Sequence, residues 1–259
     1  MTATALTIAG SDSSGGAGIQ ADLKTFQRFG VYGASAVTLI TAQNTVGVRE
    51  LYPLPSELVA SQIAAVAEDL DVRAAKTGAL GSSELIEIVA DSVARHAIPN
   101  LVVDPVMISK HGDALLAGEA VEALKRRLIP GAALVTPNLH EAGALLGRPV
   151  QSEERMRDAA RALRGLGAAA VLVKGGYLAG AEAVDLLYDG DEFTRLATPR
   201  IETLHTHGTG CTYAAAITAL LARGEPLVEA VREAKEFMTR AIRSAPGLGH
   251  GHGPVNHWA

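Results

Sequence analysis

The sequence predicts a single α/β domain in which a mostly parallel sheet carries helices on both faces. Three observations predict it. Short, wholly apolar runs alternate with segments of helical periodicity along nearly all of the 259 residues, the pattern of buried strands joined by crossover helices. Hydrophobic residues make up 48% of the chain, enough to cover both sides of such a sheet. Polar residues fall repeatedly just past the apolar runs, at the strand ends where open α/β sheets bind their ligands. No internal repeat, low-complexity tract or linker breaks the pattern, so one domain over residues 1–259 is expected.

The elements follow in order. Ala5–Ala9 is a short apolar run that stops at Gly10, and Gly10–Gly18 reads as a loop. Ile19, Leu23, Phe26 and Phe29 then recur at helical spacing until Gly30 closes the helix. Ala34–Thr41 reads as a strand ending in Gln43-Asn44. Ser56 caps a helix to about Leu70. Ala74–Thr77 is a brief strand, followed by a helix from about Ser83 to His96. Leu101–Pro105 is a strand with Asp104 at its end. Beyond the polar Ser109–Asp113 segment, a helix runs from about Gly118 to Leu128. Ala133–Asn138 is a strand, Glu141 opens the next helix, and an amphipathic helix covers about Ser152–Leu166. Ala168–Val173 is a fully apolar strand ending in Lys174-Gly175-Gly176. Strands near Val184–Tyr188 and Asp191–Leu196 flank Asp189-Gly190, a hairpin turn signal. Two helices close the pattern, about Gly210–Arg223 and Pro226–Arg243.

Charge and composition exclude several classes of partner. Net charge is −5 and the basic residues are scattered, so neither nucleic acid nor an anionic membrane is expected to bind. No apolar run reaches the ~20 residues that span a bilayer. The N-terminal Met1–Leu6 lacks the basic start and long apolar core of a signal peptide. A single cysteine, Cys211, excludes an intramolecular disulfide and fits a reducing compartment, so a cytoplasmic location is expected. Five of the eight histidines, His205, His207, His250, His252 and His257, cluster in the sequence. They lack cysteine partners or a helical H-x-x-x-H, and no zinc site is expected.

The chemistry concentrates in His205–Thr212. The run before Cys211, where two glycines alternate with a threonine, does not read as helix, whereas the alanine- and leucine-rich run after it does. The result is a glycine turn whose unpaired amides point from a helix N-terminus, a ready site for an anion such as phosphate. Cys211 falls in the first helical turn, where a lowered thiol pKa is expected and a thiolate could accept a proton. The N-terminal glycine loop completes neither a Walker A motif, since Gly-Lys-Ser/Thr is missing, nor a G-x-G-x-x-G fingerprint. Taken singly, Gly10–Asp12, Gln43-Asn44, Lys76-Thr77, Asp104, Thr136–Glu141 and Lys174 are ordinary loop or cap residues. Six such groups on one rim argue for a shared cleft. Together they supply an anion hole, a lysine, two carboxylates and several amides, the parts that phosphoryl transfer needs.

Several longer stretches resemble one family. Ala9–Lys24, Ala42–Thr45, Asp104–Met107, Thr136–Ala142, Val173–Gly176, Thr206–Thr212 and Gly251–His257 are similar, in the same order, to the hydroxymethylpyrimidine/phosphomethylpyrimidine kinases of thiamine biosynthesis. The resemblance implies a ribokinase-like three-layer α/β/α sandwich. It implies ATP-dependent phosphorylation of 4-amino-5-hydroxymethyl-2-methylpyrimidine, then of its monophosphate to the diphosphate. On it, Asp22 and Gln43 would bond the aminopyrimidine, and Gly10, Ala17 and the backbone at Val106 would line its pocket. Cys211 would be the base beside the Gly208–Thr209–Gly210 anion hole. Lys174, Thr206, Gly208 and Lys235 would contact ATP, and Asp104 and Glu141 would support magnesium (Mg2+). Residues 110–113 resemble the family's mobile flap, and relatives imply a homodimer.

Three positions depart from the family pattern. Ala79 replaces a methionine, Tyr177 a histidine and His205 an asparagine. None removes a charged group, so they bear on substrate range, and a wider pocket at Ala79 would favour some activity on pyridoxal or pyridoxine. The alternatives are therefore a pyridoxal kinase on the same frame and a non-catalytic pyrimidine-binding regulator. Intact Lys174, Asp104, Glu141 and Cys211 argue against the regulator.

Overall fold

A computed structural model describes residues 2–107 and 118–259. The 109–113 segment, expected from the sequence to be mobile, lies outside the described residues. The described chain builds one nine-stranded sheet in the order β3-β2-β1-β4-β5-β6-β7-β8-β9. Its first half comprises β1 (Thr4–Asp12), α1 (Gly18–Arg28), β2 (Tyr32–Gln43), β3 (Val48–Pro53), α2 (Ser56–Ala67), β4 (Val72–Thr77), α3 (Ser83–Arg95), β5 (Leu101–Val103) and α4 (Gly118–Ala123). Then follow β6 (Leu134–Val135), α5 (Leu139–Leu146), α6 (Glu153–Arg164), β7 (Val171–Lys174), β8 (Glu182–Tyr188), β9 (Phe193–Pro199), α7 (Thr209–Ala222) and α8 (Leu227–Arg243). β1, β2, β4, β5, β6 and β7 pair in parallel, while β3, β8 and β9 run antiparallel to their neighbours.

Alternation along the strands sorts the core into two layers. Leu6 and Ile8 of β1, Leu101 and Val103 of β5, and Val171 and Val173 of β7 point into a cluster with α2, α3, α4, α5 and α6. Val102 and Leu172 point the other way, against α7 and α8, and Ala5 packs with Phe26 of α1 and Ala215 of α7. The architecture is a three-layer α/β/α sandwich. α7 lies at the centre of the second layer and is buried on nearly every side. Its alanines let it lie close to both the sheet and its flanking helices, as an all-round apolar helix must.

Local chemistry sets most of the helix ends. Ser82 and Ser152 accept hydrogen bonds from Leu85 N and Arg155 N at the starts of α3 and α6. Asn138 and Glu141 form a reciprocal capping box on α5, and Gly147 closes that helix at φ 66°. Ser56, expected as a cap, is instead the first helical residue behind Pro55.

Three further differences from the sequence reading have physical causes. Gly10, Ser11 and Asp12, expected in a loop, extend β1 because β2 continues beside them, pairing Ser11 with Ile40 and Asp12 with Thr41 after a bulge. Pairing with a neighbouring strand overrides the poor strand propensity of these residues. β3 was not expected at all. It is an exposed edge strand of mixed charge that pairs with β2 alone among the described strands, and nothing in its pattern alternates. The helix expected over 118–128 tightens and loosens along its length, becoming a π turn at Leu124–Leu128 and a 3₁₀ turn at Ile129–Gly131, where Pro130 lacks a donor.

Within the parallel part the order is β2-β1-β4-β5-β6-β7, so the chain reverses its direction of travel across the sheet beside β1. Such a switch point opens a crevice at the strands' carboxyl ends. The packing of α1 against β1 and α7 therefore supports the crevice as well as the core. Phe26 is fully buried at that junction. Phe26→Ala is expected to lower unfolding free energy by about 3–5 kcal/mol, measured as a shift in the urea midpoint at unchanged slope.

Candidate active site

A cavity of about 380 Å³ opens at the switch point. Gly10 of β1, Ala17 before α1, Gln43 at the end of β2, and Asp104 and Val106 after β5 form part of its wall. Glu141, Lys174 and Lys235 line it from other directions, and Thr206 with the Gly208–Cys211 turn closes it. Every site residue expected from the sequence faces this space except Asp22. That carboxylate is fully buried behind the wall, where Oδ2 accepts from Thr7 Oγ1 at 2.6 Å and pairs with Lys76 Nζ at 3.0 Å. Asp22 therefore does not line the cavity in this structure but pairs with Lys76 beneath it. Its position on the inner face of α1, one turn from the glycine loop, is what hides it.

The anion-binding turn forms as its glycines require. Gly208 is the N-cap of α7 at φ 78°, and a Cβ there would collide with the carbonyl oxygen of Gly16. Only glycine satisfies both the left-handed backbone and the close approach. Gly210 serves a different purpose. A Cβ on it would stand 3.4 Å from Lys174 Nζ and 3.8 Å from Asp104 Oδ2, so its absence keeps the space before the ammonium and the carboxylate open.

Lys174 and Asp104 are joined at 2.8 Å, and Thr136 Oγ1 donates to the same Asp104 oxygen at 3.0 Å. Burial alone would raise Asp104, but the ammonium groups of Lys174 and Lys76 and these hydrogen bonds hold its carboxyl below the usual range. Burial also opposes the charge on Lys174, yet Asp104 and Glu141 outweigh it and keep the lysine protonated. Glu141 behaves oppositely: burial pushes it up to about 7, against the pull of Lys174. Two carboxylates within one lysine's reach are thus held in different states. Lys235 is buried, with its ammonium bonded to Asp185 Oδ2 at 2.6 Å and to the Ala183 carbonyl.

The expected acidic thiol at Cys211 is not found. Cys211 keeps a little exposed surface on the cavity wall, but protein surrounds it otherwise, and this burial pushes the thiol up to about 11. The Lys76 ammonium and a hydrogen bond from the Gly18 amide oppose the rise without cancelling it. The helix N-terminus is present as expected. Desolvation and the nearby Asp22 and Asp104 carboxylates outweigh it.

The residues fit a phosphate-bearing nucleotide with its magnesium. Oriented amides, a protonated lysine and an open glycine cradle converge at one point. Among the described residues no three His, Cys, Asp or Glu side chains could hold a metal by themselves. Asp104 and Glu141 would therefore share such an ion with phosphate oxygens and water, as magnesium sites usually do.

Sequence reasoning missed three contributors. Lys76 was placed on the rim without a role and turns out to neutralise Asp22 beneath the wall. Asp12 and His207, 2.8 Å apart and buried, join the two glycine turns. The signal for Asp12 was present, since it follows an apolar run like the other rim residues. Of the three unusual positions, Ala79 and Tyr177 line the cavity and His205 does not. Tyr177 stacks edge-on with His140 at 4.6 Å.

This geometry has close relatives. A family model described as phosphomethylpyrimidine kinase matches residues 12–256. A hydroxymethylpyrimidine/phosphomethylpyrimidine kinase of Rhizobium meliloti is 54% identical over 261 residues, covering 100% of this chain and 98% of its own. The Haemophilus influenzae protein of the same name is 51% identical, with 98% and 96% covered. Among solved structures, Clostridium difficile phosphomethylpyrimidine kinase superposes with a TM-score of 0.83 at 44% identity, covering 93% of this chain and 100% of that one. A Bacillus subtilis pyridoxal kinase solved as an ADP complex gives 0.92 at 41% identity, covering 99% and 98%. The Staphylococcus aureus pyridoxal kinase with AMP-PCP and pyridoxal gives 0.92 at 40%, covering 100% and 95%. The shared architecture is the ribokinase-like sandwich. With a match running from the end of the first strand to the residues beyond the last helix, and relatives above half identical over their full length, the chain belongs to the phosphomethylpyrimidine kinase family.

Proposed function

We infer that this protein is an ATP-dependent kinase that phosphorylates 4-amino-5-hydroxymethyl-2-methylpyrimidine and then its monophosphate, in thiamine biosynthesis. One observation carries the reading: the amide turn at Gly208–Cys211, Lys174 and the Gln43 amide all face a single cavity at the sheet's switch point. A relative named for this activity shares 54% of its residues over the full length of this chain.

The residues support the following division of labour. Gln43 would bond the pyrimidine edge, with Gly10, Ala17 and the backbone at Val106 forming walls. The substrate hydroxyl oxygen attacks the γ-phosphorus of ATP, the bond to the bridging oxygen breaks, and ADP leaves. Lys174 and the Gly210 and Cys211 amides would offset the charge spread over the transferred group. Thr206 would lie against the phosphates, and Lys235, through Asp185, would brace the neighbouring strand. Asp104 and Glu141 would hold magnesium, which when bound would offset phosphate charge.

Cys211 Sγ would take the hydroxyl proton. Ionising a thiol of pKa about 11 at pH 7 costs about 5 kcal/mol, so the base is strong but sparsely populated. Its occupancy grows tenfold for each pH unit. Lys76, charged beneath it, is the group that keeps this cost from being larger.

Pyridoxal phosphorylation is the second reading. It rests on Ala79, which leaves space in the cavity wall, and on the likeness to pyridoxal kinases. A homodimer is supported by exposed apolar side chains on neighbouring strands, Ile40 of β2 with Leu51 and Tyr52 of β3. No described helix is long and apolar enough to cross a membrane.

The test is a time course with purified protein, ATP, magnesium and the free pyrimidine, resolving mono- and diphosphate and running pyridoxal in parallel. Mono- and then diphosphate should accumulate with matching ATP consumption; pyrimidine-independent ATP loss alone would falsify the kinase reading. Cys211→Ala should retain pyrimidine binding by calorimetry while kcat falls about 10²–10⁴-fold. In the wild type, kcat/KM should rise through pH 7 as Glu141 ionises and keep rising above pH 8 as the thiol does. Without Cys211 the later rise should vanish.

Glu141 also predicts a trade-off. Its folded-state pKa is raised from 4.5 to about 7, so the folded state keeps a proton that the unfolded chain releases. Stability is lost as pH climbs through that window, by up to about 3 kcal/mol above pH 7. Glu141→Gln, which cannot ionise, should gain stability over the wild type at pH 8 and not at pH 4. The same change should lower magnesium-dependent turnover, checked by urea unfolding and a metal titration.

A further inference from the structure

Asp12 is the most heavily bonded carboxylate in the cavity wall. Its Oδ1 accepts from Ser14 N at 2.9 Å and Ser14 Oγ at 2.7 Å. Its Oδ2 accepts from Gly16 N at 3.1 Å and Ala17 N at 2.8 Å, and meets His207 Nε2 at 2.8 Å. The first four bonds fold the glycine loop of the N-terminal wall around one side chain. The fifth reaches across the cavity rim to the residue before Gly208. His207 is itself held by its backbone, donating to the Gly253 carbonyl and accepting from Val255 N. Its Nε2 also stands 3.4 Å from Gln43 Nε2, the amide assigned to the pyrimidine. The two loops are in direct backbone contact beside this bond, since Gly208 packs on the carbonyl of Gly16.

We propose that Asp12 and His207 are a coupled pair of positioning residues that hold the phosphate-binding turn in register with the substrate-binding loop. The proposal rests on the kinase reading of this site. The pair does so by geometry: one carboxylate oxygen receives the Gly16 and Ala17 amides and the imidazole together, so loop and turn share a single anchor. Losing either partner frees Gly208–Cys211 to drift from the Lys174 ammonium, and a misplacement of about 1 Å can cost about 10²-fold in rate. Burial favours a neutral Asp12, but the hydrogen bonds from His207 and Ser14 outweigh it and hold the carboxyl below the usual range. An ionised Asp12 takes the ring's Nε2–H as donor, which fixes the imidazole plane.

The experiment compares Asp12→Asn, His207→Ala, His207→Gln and the Asp12→Asn/His207→Ala double variant with the wild type. Wild-type turnover with the pyrimidine and ATP is measured first, so that failure of the kinase reading shows there and not in the variants. Asp12→Asn and His207→Ala should each lower kcat about 10–100-fold. The double variant should fall within about threefold of the worse single, because both break one coupling. His207→Gln, whose amide can still donate to Asp12, should recover at least fivefold of the alanine loss. Ser14→Ala, which leaves Oδ2 and its bonds intact, should stay within twofold of the wild type.

A second readout does not depend on turnover. Cys211 is the chain's single cysteine, so alkylation by iodoacetamide at pH 8 reports the turn alone. Its rate should rise at least tenfold in Asp12→Asn and His207→Ala while far-UV circular dichroism is unchanged. Asp12→Asn or His207→Ala keeping kcat within twofold and alkylating at the wild-type rate overturns the proposal, as does a double variant whose losses multiply. Should His207→Ala not fold, His207→Gln against Asp12→Asn decides between the same outcomes.

Discussion

Two glycine turns meet backbone to backbone where Gly208 lies on the carbonyl of Gly16, and the cavity takes its shape from that contact. No side chain fits at either point. The positive φ of Gly208 starts α7 at the cavity wall, while the N-terminal loop brings Ala17 and Gly18 against the same space. Anchored on β1 and on α7, the two turns are fixed by the layers of the sandwich and not by each other alone. The small residues of α7 belong to the same constraint, since a bulkier helix would stand away from the sheet and take the turn with it.

Electrostatics adds a second layer of order beneath the first. Lys76 with Asp22, and Lys174 with Asp104, are pairs of opposite charge placed where a lone charge would cost several kcal/mol to bury. Each lysine therefore stays cationic in an apolar setting, which is where a positive charge acts most strongly on an incoming phosphate. Glu141, which shares Lys174 with Asp104, is pushed by burial up to about 7. The arrangement keeps the ammonium groups charged near the amide turn while each aspartate is paired rather than left to repel the ligand.

Much of this was legible in the sequence, for reasons that can be named. The parallel strands read clearly because burial on both faces leaves uninterrupted apolar runs such as 168–173. The site read clearly because polar groups follow those runs at the sheet's carboxyl edge, and because Gly208 and Gly210 break a strong helix pattern at its start. Depth was what the sequence could not convey. Asp22 and Gln43 look equally available in one dimension, yet one lies under the wall and the other on it. The thiol at Cys211 was misjudged for the same reason, because a helix terminus shows in the sequence and desolvation does not. β3 stayed hidden because an exposed edge strand needs no apolar alternation, and the π turn at Leu124–Leu128 leaves no compositional mark.

The segment beyond α8 ties these parts together from outside the sheet. His252 N donates to the Thr45 carbonyl just past Gln43, while Gly253 and Val255 bracket His207 on either side. Residues 249–257 are translated after every strand and helix described here, yet they brace both the pyrimidine-facing loop and the residue preceding the anion hole. The sheet can thus pair all its strands before its pocket has this brace, and Val255 then completes the core against α7 and α8.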